Sequence, residues 1–187
     1  LGPFKKERTV DLLYVATFEP RKNHRTLISA LAEIDKPLNV VFVGRDLGCM
    51  QEIKDFDSIL LGNSPVNIMY VDSIEEEGLQ GLYQDSKAFI SPAIYEGFGM
   101  PLIEAYNYGC KVLCSDIEVF REVTMGTATY FDPHDAESIC AAIQCSIEAT
   151  NCLSSDDQDA SLRVRHEFNW DNIVARLVHT LAQIQHR

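Results

Sequence analysis

Ala88-Phe-Ile-Ser-Pro-Ala-Ile-Tyr-Glu96-Gly-Phe-Gly-Met-Pro-Leu-Ile-Glu104-Ala-Tyr-Asn-Tyr-Gly109 carries a strand, a turn and a helix in one uninterrupted stretch. Ala88-Phe-Ile-Ser is an apolar run of strand length closed by Pro92. Pro101 opens a helical run and Gly109 stands just past its end, the usual asymmetry of helix start and stop. Gly97 and Gly99 therefore fall in a strand-to-helix turn, where a missing Cβ lets a ligand approach the backbone. The first N–H groups of the helix lack intrahelical partners and favour an anion there. Glu96 and Glu104 can both face that mouth. Two hydroxyl acceptors around an anion site suit a diphosphate flanked by a ribose and a hexose. The spacing of the two glutamates is weak by itself. Glu104 alone reads as a first-turn glutamate favoured by the helix dipole, and Glu96 as a solvated loop residue. The surrounding strand, glycines and helix give the pair its weight.

Outward from this unit the same alternation repeats. Apolar runs at 11–16, 39–43, 66–71, 88–91, 111–115 and 128–131 read as strands, with a helix-period segment after each. Ser73 and Glu76 match a capping box ahead of Leu79, Leu82 and Tyr83. Ser154-Ser-Asp-Asp-Gln-Asp159 reads as a polar linker, and helices near 156–167 and 171–186 close the chain, with Trp170 as an apolar anchor between them. Continuous apolar strands alternating with helices predict an α/β domain: a Rossmann-like parallel sheet of about six strands with helices on both faces. Ligands of such sheets bind beyond the carboxyl ends of the strands, at a topological switch point.

Pro20-Arg-Lys-Asn-His-Arg25 is the dense basic run of an acidic chain, just after the first strand. Cations at a helix N-terminus are disfavoured by roughly 0.3–1 kcal/mol each, unless an anion is bound between them and the helix. An Arg fork and a Lys point charge suit a diphosphate leaving group. The bland reading is a solvated turn paired to surface carboxylates. His24 and Arg25 are expected to face solvent or cap contacts.

Composition excludes several classes. Across 187 residues the net charge is −12, which argues against a nucleic-acid partner. No apolar run reaches the length of a membrane span, and no apolar core follows Leu1-Gly-Pro-Phe-Lys-Lys, so a signal peptide is not expected. The start at Leu1 reads as that of a processed chain or an excised fragment. Six cysteines form no C-x-x-C pair and have no His at zinc spacing, so they read as buried free thiols of a reducing, cytoplasmic compartment. Gly44-Arg-Asp-Leu-Gly48 lacks the full dinucleotide fingerprint. Asp55-Phe-Asp57 and Asp157-Gln-Asp159 match a metal-binding Asp-x-Asp only superficially, so no metal or other cofactor is expected. His134 in Asp132-Pro-His-Asp135 reads as a turn residue.

The segments Tyr14 to Arg25, Val41 to Gly44, Ser91 to Gly109, Val112 to Asp116, Arg121 to Val123 and Tyr130 to Pro133 together resemble the C-terminal, donor-binding domain of the family 4 retaining glycosyltransferases of the GT-B fold. The Glu-Pro-Arg-Lys-Asn variant resembles the branch rich in bacterial polysaccharide mannosyltransferases. The resemblance implies that Arg21 and Lys22 hold the donor diphosphate and that Glu96 approaches the hydroxyls of the transferred sugar. The backbone of Phe98, Gly99 and Met100 would lie alongside, Glu104 would take the ribose hydroxyls, and Val71-Asp72 would border the base, with Gly44 on the same edge. Ala16-Thr17 departs from the Gly and Arg that many relatives carry there, leaving Arg21 to supply that charge.

By this resemblance residues 1–187 form a nucleotide-sugar-binding domain, closed by 156–187. The N-terminal acceptor domain of a GT-B enzyme would be absent, and the isolated domain would transfer little. The implied reaction is metal-independent, retaining transfer of a hexose from a nucleoside-diphosphate sugar such as GDP-mannose to a glycan or lipid-linked acceptor. A full-length enzyme at the cytoplasmic face of a membrane stays open. Two alternatives stand beside it: a catalytically silent sugar-nucleotide-binding module of a larger assembly, and a related GT-B epimerase or phosphorylase.

Overall fold

The computed structural model describes residues 8–148, 155–169, 172–175 and 178–179. All six apolar runs are strands: β1 (Val10–Val15), β2 (Leu38–Val43), β3 (Val66–Val71), β4 (Ser86–Ser91), β5 (Lys111–Ser115) and β6 (Thr129–Phe131). The helices are α1 (His24–Ala32), α2 (Met50–Leu61), α3 (Glu76–Asp85), α4 (Met100–Asn107), α5 (Glu118–Val123), α6 (Ala136–Glu148) and α7 (Ser155–Glu167). Every pairing is parallel, in the order β3-β2-β1-β4-β5-β6. Parallel neighbours need a crossover to bring the chain back to the same end, which is why a helix follows each strand.

Side chains alternate across the sheet. Leu12, Tyr14, Val40, Phe42, Ala88, Ile90 and Leu113 pack into a core shared with α1, α2 and α6. Leu13, Val41, Val43, Phe89, Val112 and Cys114 pack into a second core shared with α3, α4, α5 and α7. Both faces are covered, so the strands read as unbroken apolar runs rather than as alternating ones. The expected three-layer α/β architecture is observed.

Local signals were decoded unevenly. At the end of α4, Gly109 has φ 67°, and the N–H groups of Cys110 and Gly109 reach the carbonyls of Ala105 and Tyr106 at 2.9 and 3.1 Å. That is the glycine stop read from sequence. Ser73 and Glu76, by contrast, form no capping box. Helix α3 starts at Glu76 after an extended Glu75, and no side chain caps it. Glu76 and Glu77 in its first turn meet the positive helix end instead. The expected linker is also corrected: residues 155–159 are the opening of α7, with Asp156 and Asp157 in its first turn for the same electrostatic reason.

Cys110, Cys114 and Cys140 are buried free thiols, but Cys49 is half-buried and Cys145 is exposed. Burial pushes the Cys110 thiol up to about 12 despite the nearby Arg8, so it stays protonated and inert. Cys152 and Trp170 lie outside the described residues, and the helix expected over 171–186 is described only at 172–175 and 178–179. No helix among the described residues is long and apolar enough to cross a membrane.

Candidate functional site

The chain proceeds from β1 into α1 on one face of the sheet, and from β4 into α4 on the other. Because β1 and β4 are neighbours, their following loops diverge and leave a crevice between them. Both charged clusters singled out in the sequence lie on these two loops.

The basic run forms a short 3-10 turn at Pro20–Lys22. The buried Tyr14 hydroxyl donates to the Lys22 carbonyl at 2.6 Å, and the Ile94 N–H donates to the Arg21 carbonyl at 3.0 Å. Lys22 and Glu96, 74 positions apart in sequence, form an ion pair, with side chains only 11% and 16% exposed. Arg21 is more open. Its Nη1 lies 3.3 Å from Glu96 Oε2 and donates to the Tyr95 carbonyl at 3.3 Å. Its Nε and Nη2 grip both Glu19 oxygens at 3.1 and 2.8 Å. The Thr17 hydroxyl, with Arg21 adding to it, holds the Glu19 carboxyl below the usual carboxylate range. Two cations thus share two carboxylates at the crevice. Either cation can trade a carboxylate for a phosphate oxygen, which is the exchange a diphosphate site requires.

Gly99 opens α4 in the left-handed region (φ 91°, ψ 40°). A Cβ there would lie 3.0 Å from the Phe120 ring, so backbone and packing both demand glycine. A Cβ on Gly97 would meet nothing within 4 Å. Phe98 and Met100 are exposed, and the Phe98 ring meets Phe168 edge-on at 5.8 Å.

Glu104 joins a different partner. Its Oε2 accepts the Tyr83 hydroxyl at 2.7 Å, and Tyr83 stacks on Tyr108 with centroids 5.6 Å apart. Burial, reinforced by the Glu104 carboxylate, pushes the Tyr83 phenol well up, so it remains a proton donor. A cleft of about 1000 Å³ lies between α4 and α7 and meets the expected site only at Met100 and Glu104. Arg21, Lys22 and Glu96 do not line it. These three offer charge rather than volume, and charge with N–H donors is what holds an anion.

Gly44, Val71 and Asp72 lie together at the ends of β2 and β3. The Gly44 N–H donates to the Val71 carbonyl at 2.9 Å, and Asp72 Oδ1 accepts the Asp46 N–H at 2.9 Å. A Cβ on Gly44 would stand 1.9 Å from the Ala16 carbonyl oxygen, so this glycine lets the ends of β1 and β2 close together. Asp46 Oδ1 takes the N–H groups of Gly48, Cys49 and Met50 at 2.7, 2.9 and 3.0 Å. The bond from Met50, with the other two, holds its carboxyl below the usual range. Gly44 to Gly48 is therefore a loop that caps α2.

Asp55 and Asp57 have partners within the protein. Asp55 accepts the Gln51 amide at 2.8 Å, and Asp57 accepts the Tyr70 hydroxyl at 3.0 Å. No group of three or more His, Cys, Asp or Glu that could hold a metal occurs among the described residues. The His134 N–H turns back to Asp132 Oδ1 at 2.8 Å, the turn role read from sequence.

His24 corrects an expectation. It is 3% exposed, with Tyr14 and Phe18 each 4.8 Å from its ring and Phe42 at 5.5 Å. It was expected to face solvent or cap contacts, but three aromatic rings enclose it. Arg25 does face outward, over Phe56 and paired with Glu52. Burial, with Lys22 nearby, lowers the His24 imidazole to about 3. Its unfolded value is near 6.5, so the unfolded chain binds the extra proton first and stability is lost as pH falls below about 6.5. By pH 5 that loss reaches about 2 kcal/mol. Urea unfolding at pH 7.5 and 5 is expected to show it, and His24→Phe should remove it. An equal pH slope in both chains would assign the acid sensitivity to other groups.

Sequence reasoning passed over Asn23, Glu19 and Tyr83 as site residues. Asn23 gave no local signal, since its amide partners Pro92 and Pro133 lie 69 and 110 positions away.

The family model described as glycosyl transferases group 1 matches residues 3–153. O-antigen chain mannosyltransferase B of Escherichia coli is 27% identical over 168 residues, covering 89% of this chain and 44% of that protein. An O-antigen chain mannosyltransferase of Salmonella typhimurium is 33% identical over 144 residues, covering 75% of this chain and 39% of that protein. The solved sucrose-phosphate synthase of Thermosynechococcus elongatus superposes with a TM-score of 0.77 at 26% identity, over 97% of this chain and 46% of that one. An Anabaena protein solved in complex with UDP and glucose gives a TM-score of 0.80 at 17% identity, over 94% and 49%, a likeness of fold. The chain spans less than half the length of each of these relatives.

Proposed function

The chain belongs to the group 1 glycosyl transferases, and on that premise we propose that it forms the donor-binding half of a retaining, metal-independent hexosyltransferase with the GT-B architecture. One observation carries this reading: Arg21 and Lys22 after β1 converge on Glu96 after β4, at the point where the strand order reverses. The donor is a nucleoside-diphosphate hexose. The O-antigen mannosyltransferases among the relatives favour mannose, and GDP-mannose is the donor proposed. A glycan or lipid-linked acceptor is read by the other half of such a cleft, and the reaction belongs to the cytoplasmic side.

Departure of the diphosphate builds negative charge beside Arg21, Lys22 and the first N–H groups of α4, where fixed positive groups stabilise it without reorganisation. When Lys22 turns to phosphate, Glu96 is released to accept sugar hydroxyls. An acceptor hydroxyl then attacks the oxocarbenium-like carbon from the face the diphosphate vacated, and its proton passes to the departing phosphate oxygen. Glu104, steadied by Tyr83, takes the ribose, and Val71-Asp72 borders the base. Two cations and helix-end donors neutralise the diphosphate, so metal is dispensable.

Calorimetric titration with GDP, UDP, ADP and their sugars, each with and without a chelator, tests the reading. Micromolar-range binding of one series is expected to survive chelation, and Glu104→Ala is expected to cost about 1–3 kcal/mol of nucleotide affinity. Binding that requires magnesium or manganese would overturn the metal-free proposal, and unchanged binding in Glu104→Ala would leave Glu104 only as the partner of the Tyr83 hydroxyl.

A further inference from the structure

Asn23 does more than turn the chain. Its backbone is left-handed (φ 60°, ψ 34°) and the residue is only 8% exposed. The side-chain Nδ2 donates to the Pro92 carbonyl at 3.0 Å and to the Pro133 carbonyl at 2.7 Å. Oδ1 accepts the Thr26 hydroxyl at 2.6 Å. Both amide hydrogens are used, and a flipped amide would aim its oxygen at two carbonyls, so the orientation is fixed. Pro92 follows β4 directly and leads into the Glu96 loop, while Pro133 follows β6. One buried side chain therefore ties together the loops beyond three strands, from the residue adjoining Lys22.

We infer that Asn23 is a positioning residue for diphosphate recognition, holding the Arg21–Lys22 turn against the Glu96 loop; this rests on the donor-site reading above. The backbone bond from Ile94 to Arg21 crosses the same gap once. The side chains of Arg21 and Lys22 also reach Tyr95 and Glu96 across it, but those are the contacts a diphosphate would exchange, whereas the two amide bonds of Asn23 are untouched by it. Glycine adopts the same backbone at lower strain, so the amide bonds are what Asn23 adds to the turn. The separation matters because misplacing a charge by about 1 Å can cost roughly 100-fold in function.

Asn23→Gly keeps the backbone and removes the clip. Its affinity for a nucleoside diphosphate is expected to fall about tenfold, with the bare nucleoside bound as before. Hydrogen exchange at the Ile94 amide is expected to accelerate. A merely structural asparagine would lower the Tm and leave the ratio of diphosphate to nucleoside affinity unmoved; that result in a folded variant overturns the inference. Should Asn23→Gly not fold, Thr26→Val, which frees Oδ1 and loosens the amide, is read by the same ratio. A smaller shift in the same direction supports the inference, and no shift overturns it. Exchange at Ile94 needs no ligand and separates the two readings. A wild-type chain that binds no nucleoside diphosphate sinks the donor site, whereas an unaltered Ile94 rate in Asn23→Gly sinks the clip.

Discussion

Lys22→Met is expected to weaken nucleoside-diphosphate binding by about 2–4 kcal/mol, roughly 30- to 1,000-fold, with little change for the bare nucleoside. The methionine keeps the apolar stem and removes only the charge. Lys22 is nearly covered and its ammonium pairs with Glu96, so the loss has two parts. The diphosphate forfeits a charge-assisted contact in a site shielded from water. Glu96 is also left without its Lys22 partner, facing the incoming anion, and repels it. Arg21, at 43% side-chain exposure and already gripping Glu19, is screened more and is expected to matter less. Under the proposed function, the same change in an enzyme that includes this domain should lower kcat about 100- to 1,000-fold, since the charge would act most on the departing diphosphate. Isothermal titration of GDP against guanosine in low salt, with circular dichroism to confirm folding, makes the measurement. A folded variant losing less than about threefold would mean that Lys22 only neutralises Glu96.

Gly44→Ala is expected to destabilise the fold by about 3 kcal/mol or more, a drop in Tm of roughly 6–12 °C. The new methyl would sit 1.9 Å from the Ala16 carbonyl oxygen and 2.5 Å from its carbon. Backbone is the obstacle, and it has little room to retreat. The Ala16 N–H is bonded to the Val43 carbonyl at 2.8 Å, and the Gly44 N–H to the Val71 carbonyl at 2.9 Å. Relief would have to spread the ends of β1, β2 and β3 at the edge where the candidate site lies. Gly97→Ala is the control, because its methyl meets open space, and its stability is expected to match wild type. Thermal and urea unfolding of the two variants test the contrast. A Gly44→Ala loss below about 1 kcal/mol would show that the strand ends yield to the methyl cheaply.

Much of this was legible in the chain itself. The apolar runs of strand length, the helical periods between them, Pro101 and Gly109 around α4, and the glycines before it all express local rules. Burial on both faces writes a continuous apolar run, and a left-handed helix end writes a glycine. Those signals need only a few neighbouring residues, so the α/β class, the parallel sheet and the strand-to-helix turn at 96–100 could be read directly. Arg21, Lys22, Glu96 and Glu104 were likewise visible, because two cations at a helix start and two carboxylates around a glycine turn are locally unusual.

The tertiary structure alone decided who meets whom. That β1 lies beside β4 is a matter of strand order, which no periodicity encodes, and it is what brings Lys22 to Glu96. His24 was expected to face solvent or cap contacts, but its surroundings come from Tyr14, Phe18 and Phe42. Nothing local singled out Asn23, because its amide partners are carbonyls beyond β4 and β6. Ser73 matched a capping pattern that α3 does not use, and Ser155 to Asp159 looked like a linker yet open α7. For His24 and Asn23 the deciding partners were distant in sequence or on other elements, and for α3 and α7 the acidic first turns stand at the helix starts. A sequence specifies its elements through short-range sterics and burial, whereas a site between loops exists only once the sheet has set those loops side by side.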